Sequence, residues 1–125
     1  MLDYVALTIH DYQRSKSFYQ AALAPLGYEL VLEISEWAGF GWGDKPDLLI
    51  RGGSSTTPNL RIAFRAEDRE TVHNFYREAL AAGGKDDGAP ALRPEYDDDY
   101  FSARVLDPDG HRIEVVCHIP EDAFE

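Results

Sequence analysis

Three short segments of this 125-residue chain set side chains able to do chemistry on one alternating face: Tyr4 and Thr8 around Ala6, Arg61 and Arg65 around Ala63, and Glu114 and His118 around Val116. Apolar residues fill the gaps, Val5, Leu7 and Ile9 in the first segment and Ile62 and Phe64 in the second. That is the period of a strand with one face buried, so these nine residues belong to open faces and are candidates to line a cleft. Guanidinium groups grip carboxylate or phosphate oxygens bidentately, so Arg61 and Arg65 suit a small organic anion. Glu114 is the best candidate for a catalytic group. As a base it needs desolvation to raise its proton affinity, whereas Arg61 beside it would hold it ionised, as a positioned acceptor. An Arg61 to Glu114 pair with Tyr4 hydrogen-bonded next to it is therefore expected, either as a structural plug or as the reader of a ligand.

Aromatic residues complete the set. In Trp37-Ala38-Gly39-Phe40-Gly41-Trp42, alternation sends Phe40 and Trp42 to one face as an apolar wall. Tyr100, with Tyr96 and Phe101, flanks Asp97-Asp98-Asp99, which reads as a solvated acidic loop rather than a lid. The expected substrate-binding residues are thus Tyr4, Arg61, Arg65, Glu114, Phe40, Trp42 and Tyr100. His118 is a weaker candidate for a general base or a replacement ligand. His10, His73 and His111 read as surface residues, Asp107 and Asp109 as turn formers, and Cys117 as a small buried apolar residue.

These groups must be positioned by repeated elements. Residues 3–27 align without a gap with residues 60–84, keeping Ala6/Ala63, Asp11/Asp68, Phe18/Phe75, Tyr19/Tyr76, Ala22/Ala79, Leu23/Leu80, Ala24/Ala81 and Gly27/Gly84 identical. Each copy reads as a strand, an aspartate able to cap a helix, an amphipathic helix and a terminating glycine. Phe18, Ala22 and Leu23 mark the buried face of the first helix. Val72, Phe75, Tyr76, Ala79 and Leu80 mark that of the second. Strand-like runs follow at 28–34, 37–43 and 47–51, and again at 91–93, 100–106 and 112–118. Their turns fall at Gly43-Asp44-Lys45-Pro46 and Asp107-Pro108-Asp109-Gly110. Gly52 to Pro58 is the one linker-like stretch. The reading is a single α+β domain over 1–125 made of two βαβββ modules, about 1–53 and about 58–118.

The opening Asp11-Tyr12-Gln13-Arg14-Ser15 with Phe18-Tyr19, and the ending Asp107-Pro108-Asp109-Gly110-His111-Arg112-Ile113-Glu114, together with the duplication, resemble the vicinal oxygen chelate superfamily of glyoxalases, bleomycin-resistance proteins and dioxygenases. The resemblance implies a glyoxalase-like open-barrel or cleft fold and a homodimer. It places the metal-ligand positions of metal-using members at Tyr4, Leu49, Arg61 and Glu114, of which only Glu114 could ligate here. Arg61 cannot ligate, and its charge repels a cation. The reading is therefore a metal-free, cofactor-free protein binding a small organic ligand. The alternatives are a metal-dependent lyase, isomerase or dioxygenase with an altered site, and a dimeric module whose pocket is filled.

Composition agrees with a packed domain, 44% hydrophobic and 12% aromatic. With 12 Lys and Arg against 23 Asp and Glu, the net charge is −11, a poor field for nucleic acid or an anionic membrane. Much of the acid lies in the 95–99 loop, the turns and the tail at Glu121, Asp122 and Glu125. The lone Cys117, the lack of an apolar run of about 18 residues and the lack of a secretion-signal pattern point to a cytoplasmic protein.

Overall fold

The computed structural model describes residues 1–120; the acidic tail at Glu121, Asp122 and Glu125 lies outside them. Each half opens with a strand leading into a helix, β1 (Val5–Ile9) into α1 (Tyr12–Leu23) and β5 (Arg61–Ala66) into α2 (Arg69–Ala81). The Asp11 side chain accepts from the Arg14 amide at 3.2 Å. Asp68 accepts from the Thr71 amide at 2.7 Å and from the Thr71 hydroxyl at 2.7 Å. Both thereby satisfy amide groups that a helix start leaves without partners.

Three strands follow each helix. The first half adds β2 (Glu29–Ile34), β3 (Trp37–Trp42) and β4 (Lys45–Gly52); the second adds β6 (Lys85–Leu92), β7 (Phe101–Leu106) and β8 (Arg112–Cys117). The two sheets share one topology, β1-β4-β3-β2 and β5-β8-β7-β6, with the opening strand parallel to the last and the rest antiparallel. The duplication read from the sequence is thus a duplication of topology, and no barrel closes among the described residues. Among the described residues no helix is long and apolar enough to cross a membrane.

β6 is longer than the sequence reading allowed. Lys85-Asp86-Asp87-Gly88-Ala89-Pro90 looks like loop, yet it runs beside β7 with register shifts on either side of Gly88. An edge strand pairs on one side only, so it tolerates the proline, charges and bulges that a central strand does not.

One continuous core joins the halves. Leu7, Ile9, Phe18, Tyr19, Phe40, Leu48 and Ile50 meet Val72, Phe75, Val105, Ile113 and Val115 in it. Gly84 shows how tight the joint is: a β-carbon there would lie 2.7 Å from Phe18 Cε1. Polar groups cross the joint too. Tyr19 of α1 donates to Asp107 in the β7–β8 turn. The Thr57 amide donates to the Thr8 carbonyl at 2.9 Å, and the Thr8 amide to Thr57 Oγ1 at 2.8 Å.

His111 corrects the surface assignment, since it is only 2% exposed. Its Nδ1 lies 2.6 Å from Asp107 Oδ2 and its Nε2 2.8 Å from the Thr57 carbonyl. The Asp107 carboxylate calls for a proton on Nδ1 and the Thr57 carbonyl for one on Nε2, which also lies 3.1 Å from Thr56 Oγ1; these partners favour the protonated ring. Asp107 forms the turn as expected, accepting from the amides of Asp109 and His111, but it is buried as well.

Candidate functional site

The register of the second sheet decides which side chains share its outward face, the one away from the helices. Ala63 pairs with Glu114, and Glu114 with Arg104. Arg65 pairs with Val116, and Val116 with Ser102. The alternate rows, Ile113 with Val105 and Val115 with Ala103, are fully buried in the core. Arg61, Ala63, Arg65, Arg104, Arg112 and Glu114 therefore lie together on the outward face, with Tyr100 just ahead of β7.

Glu114 is the centre of this face. It is 5% exposed, and its Oε1 accepts a hydrogen bond from the Tyr100 hydroxyl at 3.1 Å. Its Oε2 is buried without a hydrogen-bond partner. A buried carboxylate oxygen lacking a donor carries its full desolvation cost, so this atom is the strongest sign of a group to be received here. Burial, followed by the charge and hydrogen bond of Glu114, raises the pKa of the Tyr100 hydroxyl, while Arg61 works the other way. Tyr100 is thus a settled donor. The rings of Tyr96 and His118 lie 5.0 Å and 5.3 Å from that of Tyr100, so this tyrosine joins the exposed loop to the strand face.

The expected Arg61 to Glu114 pair is absent: no ion pair links the two among the described residues. Arg61 is exposed and turns to a hollow of about 440 Å³ shared with Arg112, Asn59, Leu60 and Gly110. Arg65 and Trp42 share a second hollow of about 350 Å³, floored by Leu26, Tyr28 and Phe64. Tyr4, 51% exposed, stands in a third, about 310 Å³, with Leu2, Val5, Ile62 and Ala63. The expected site residues are therefore strung along β5 rather than gathered at one point.

Phe40 and Trp42 do not make a common wall. Phe40 is buried in the core against Tyr19, ring centroids 6.2 Å apart. Trp42 is 63% exposed and meets Tyr28 edge-on at 5.8 Å. A register shift between Phe40 and Gly41 interrupts the alternation on which the pairing of these two aromatics rested. Leu49 is half-buried on the outward side of the first sheet, its Cδ2 2.9 Å from where a Gly39 β-carbon would stand.

Two arginines escaped the sequence reading. Arg104 lies directly opposite Glu114, and Arg93 reaches the same face, its Nε donating to Ser102 Oγ at 2.9 Å and its Nη2 to the Ala89 carbonyl at 2.9 Å. The alternation Phe101-Ser102-Ala103-Arg104-Val105 carried a usable signal for Arg104. Arg93 sits outside any strand and had none.

A metal does not fit these residues. Tyr4, Leu49, Arg61 and Glu114 bring one carboxylate, one phenol, one apolar group and one cation, and among the described residues no three of His, Cys, Asp and Glu come together to hold an ion.

A family model described as the Glyoxalase/Bleomycin resistance protein/Dioxygenase superfamily matches residues 1–115. Among solved structures, a glyoxalase/bleomycin resistance protein from Albidiferax ferrireducens T118 superposes with a TM-score of 0.82 at 24% identity, covering 96% of this chain and 99% of its own. A family enzyme from Burkholderia phytofirmans PsJN gives 0.73 at 18% identity, covering 94% and 98%. A lactoylglutathione lyase from Agrobacterium tumefaciens gives 0.65 at 20% identity, covering 94% and 92%. At these identities the likeness is one of fold. No curated protein matches the sequence significantly.

Proposed function

Because the chain belongs to the Glyoxalase/Bleomycin resistance protein/Dioxygenase superfamily, we propose that its outward strand faces hold a ligand, and that here the ligand is a small organic anion bound without a metal. The observation that carries this reading is the unpartnered, buried Oε2 of Glu114, at the one family ligand position that keeps a ligating side chain. Tyr100 holds the other oxygen in place, and the neighbouring residues on β5 and β8 are the cations Arg61, Arg65 and Arg112. A ligand with an acidic group and a hydrogen-bond donor satisfies both signs of charge at once. Glu114 is then an acceptor that orients the ligand, and Trp42 adds an apolar edge beside Arg65.

The test has two parts. Protein purified without chelator or metal-affinity steps is assayed for Ni, Zn, Fe and Mn by plasma mass spectrometry, with the expectation of far less than one equivalent; near-stoichiometric metal would overturn the reading. A thermal-shift screen of small aromatic and aliphatic acids then seeks a hit, where a ligand at 100 times its Kd adds about 2.7 kcal/mol. Glu114→Gln is expected to abolish the hit's shift while leaving the unliganded protein folded. We also propose that the working unit is a homodimer, since the first sheet exposes Leu32, Ile34 and Trp37.

A further inference from the structure

Gly88, on the bulged edge strand β6, has φ +155°, and a β-carbon placed on it would stand 2.9 Å from Arg104 Nε, 3.0 Å from Arg104 Nη2 and 3.0 Å from Arg93 Nη2. The two guanidinium groups therefore converge on one point, their Nη2 atoms no more than about 6 Å apart, where like charges repel appreciably at the effective dielectric of a protein surface. Among the described residues neither guanidinium makes an ion pair, although the Asp86 carboxylate accepts from the Gly88 amide at 2.9 Å close by. Among the described residues Arg93 bonds to neutral oxygens, those of Ser102 and Ala89. Arg104 has a buried Nε without a partner, and although Glu114 is its direct neighbour in register, no ion pair joins the two. Two cations without an ion-pair partner, held together by a glycine-permitted approach in a chain of net charge −11, are a costly arrangement for stability alone.

We propose that Arg93 and Arg104 form an oxyanion site above Gly88 that takes the acidic end of the ligand, a carboxylate or a phosphate-type group. This rests on the proposed binding face and extends it by one strand, from β8 to β7 and the edge of β6. The acidic group sits between the two guanidiniums; Arg104 offers its N–H donors, and Arg93, whose Nε and Nη2 are held by Ser102 and Ala89, offers its Nη1 donors and its charge. The ligand's own donor then reaches the free Oε2 of Glu114, which Arg104 opposes across one strand spacing. The ligand class is accordingly an oxyanion bearing a hydroxyl or ammonium donor a few bonds away. Gly88 is a specificity element, because any side chain there would stand in the space where the two arginines meet.

The experiment uses the full chain labelled with nitrogen-15 and two probes, inorganic phosphate and benzoate, titrated at low ionic strength to limit screening. The expected result is saturable shifts of the Arg93 and Arg104 Nε–H resonances and of the Gly88 amide. Arg104→Gln should weaken probe binding at least tenfold, which is about 1.4 kcal/mol. Arg93→Gln, a second variant should the first not fold, should do likewise. Saturation by phosphate alone assigns a phosphate-type ligand, and by benzoate alone a carboxylate. Absence of shifts at both arginines, or an affinity within twofold of the parent in both arginine variants, overturns the site. If benzoate binding falls in Arg61→Ala and not in Arg104→Gln, the broader reading stands and this site fails.

Discussion

The buried trio of Tyr19, Asp107 and His111 is the residue-scale feature with the clearest solution signature. Burial opposes the charged imidazole of His111, yet the hydrogen bond and charge of Asp107, helped by the Thr57 carbonyl and Asp109, outweigh it and raise the pKa above 6.5. Burial likewise opposes ionisation of Asp107, but hydrogen bonds from His111 and Tyr19 prevail and hold its carboxyl below 3.8. A raised histidine contributes stability that is complete below 6.5 and disappears as pH climbs through the native value. A depressed aspartate contributes stability that is complete above 3.8 and disappears as pH falls through its native value. The thermal midpoint is therefore expected to be highest between about 3.8 and 6.5 and to decline above it. His111→Gln should lower the maximum and flatten the decline; an equally steep decline in the variant would show that other groups cause it. The burial of His111 was not legible beforehand, because a histidine after a turn motif looks solvated until the distant Thr56 and Thr57 are placed against its ring.

At the scale of elements, the sequence was most readable where local rules and the tertiary fold agree. Both caps, both helices and the parity of β1, β5 and β8 follow from spacing alone, since capping chemistry and a two-residue period need no knowledge of neighbours. The two caps are unequal. Asp68 serves both the amide and the hydroxyl of Thr71 at 2.7 Å, whereas Asp11 makes one bond at 3.2 Å. Asp68→Ala is expected to cost about 1–2 kcal/mol and Asp11→Ala about 0.5–1 kcal/mol in urea unfolding, a ranking that equal losses would refute. The edge strand β6 was illegible for the opposite reason. Its glycine, proline and charges speak against a strand, and only its one-sided pairing with β7 makes them tolerable. The candidate site inherits this split: Glu114 and the β5 arginines could be found by periodicity, while the meeting of Arg93 with Arg104 depends on a bulge no local rule foretells.

For the molecule as a whole, the two sheets present unlike outward faces. The first is apolar, with exposed Leu32, Ile34 and Trp37 and a cation–π contact from Arg51 to Trp37 at 5.1 Å; the second is cationic around Glu114. Burying the apolar face in the proposed homodimer predicts a particle of about twice the 14.1 kDa chain mass in light scattering, and Ile34→Glu should shift it toward monomer. A monomer at micromolar concentration in the parent protein would count against the dimer. The duplication also has a consequence for ancestry. Tyr19 and Tyr76 occupy matching places in the two copies, yet Tyr19 reaches across to Asp107 while Tyr76 stays at home with Asp86. A symmetrised chain made of two first halves would bury a tyrosine hydroxyl twice and supply neither Asp107 nor His111 to receive it. The halves have ceased to be interchangeable parts, and the fold has become an obligate pairing of two specialised relatives within one chain.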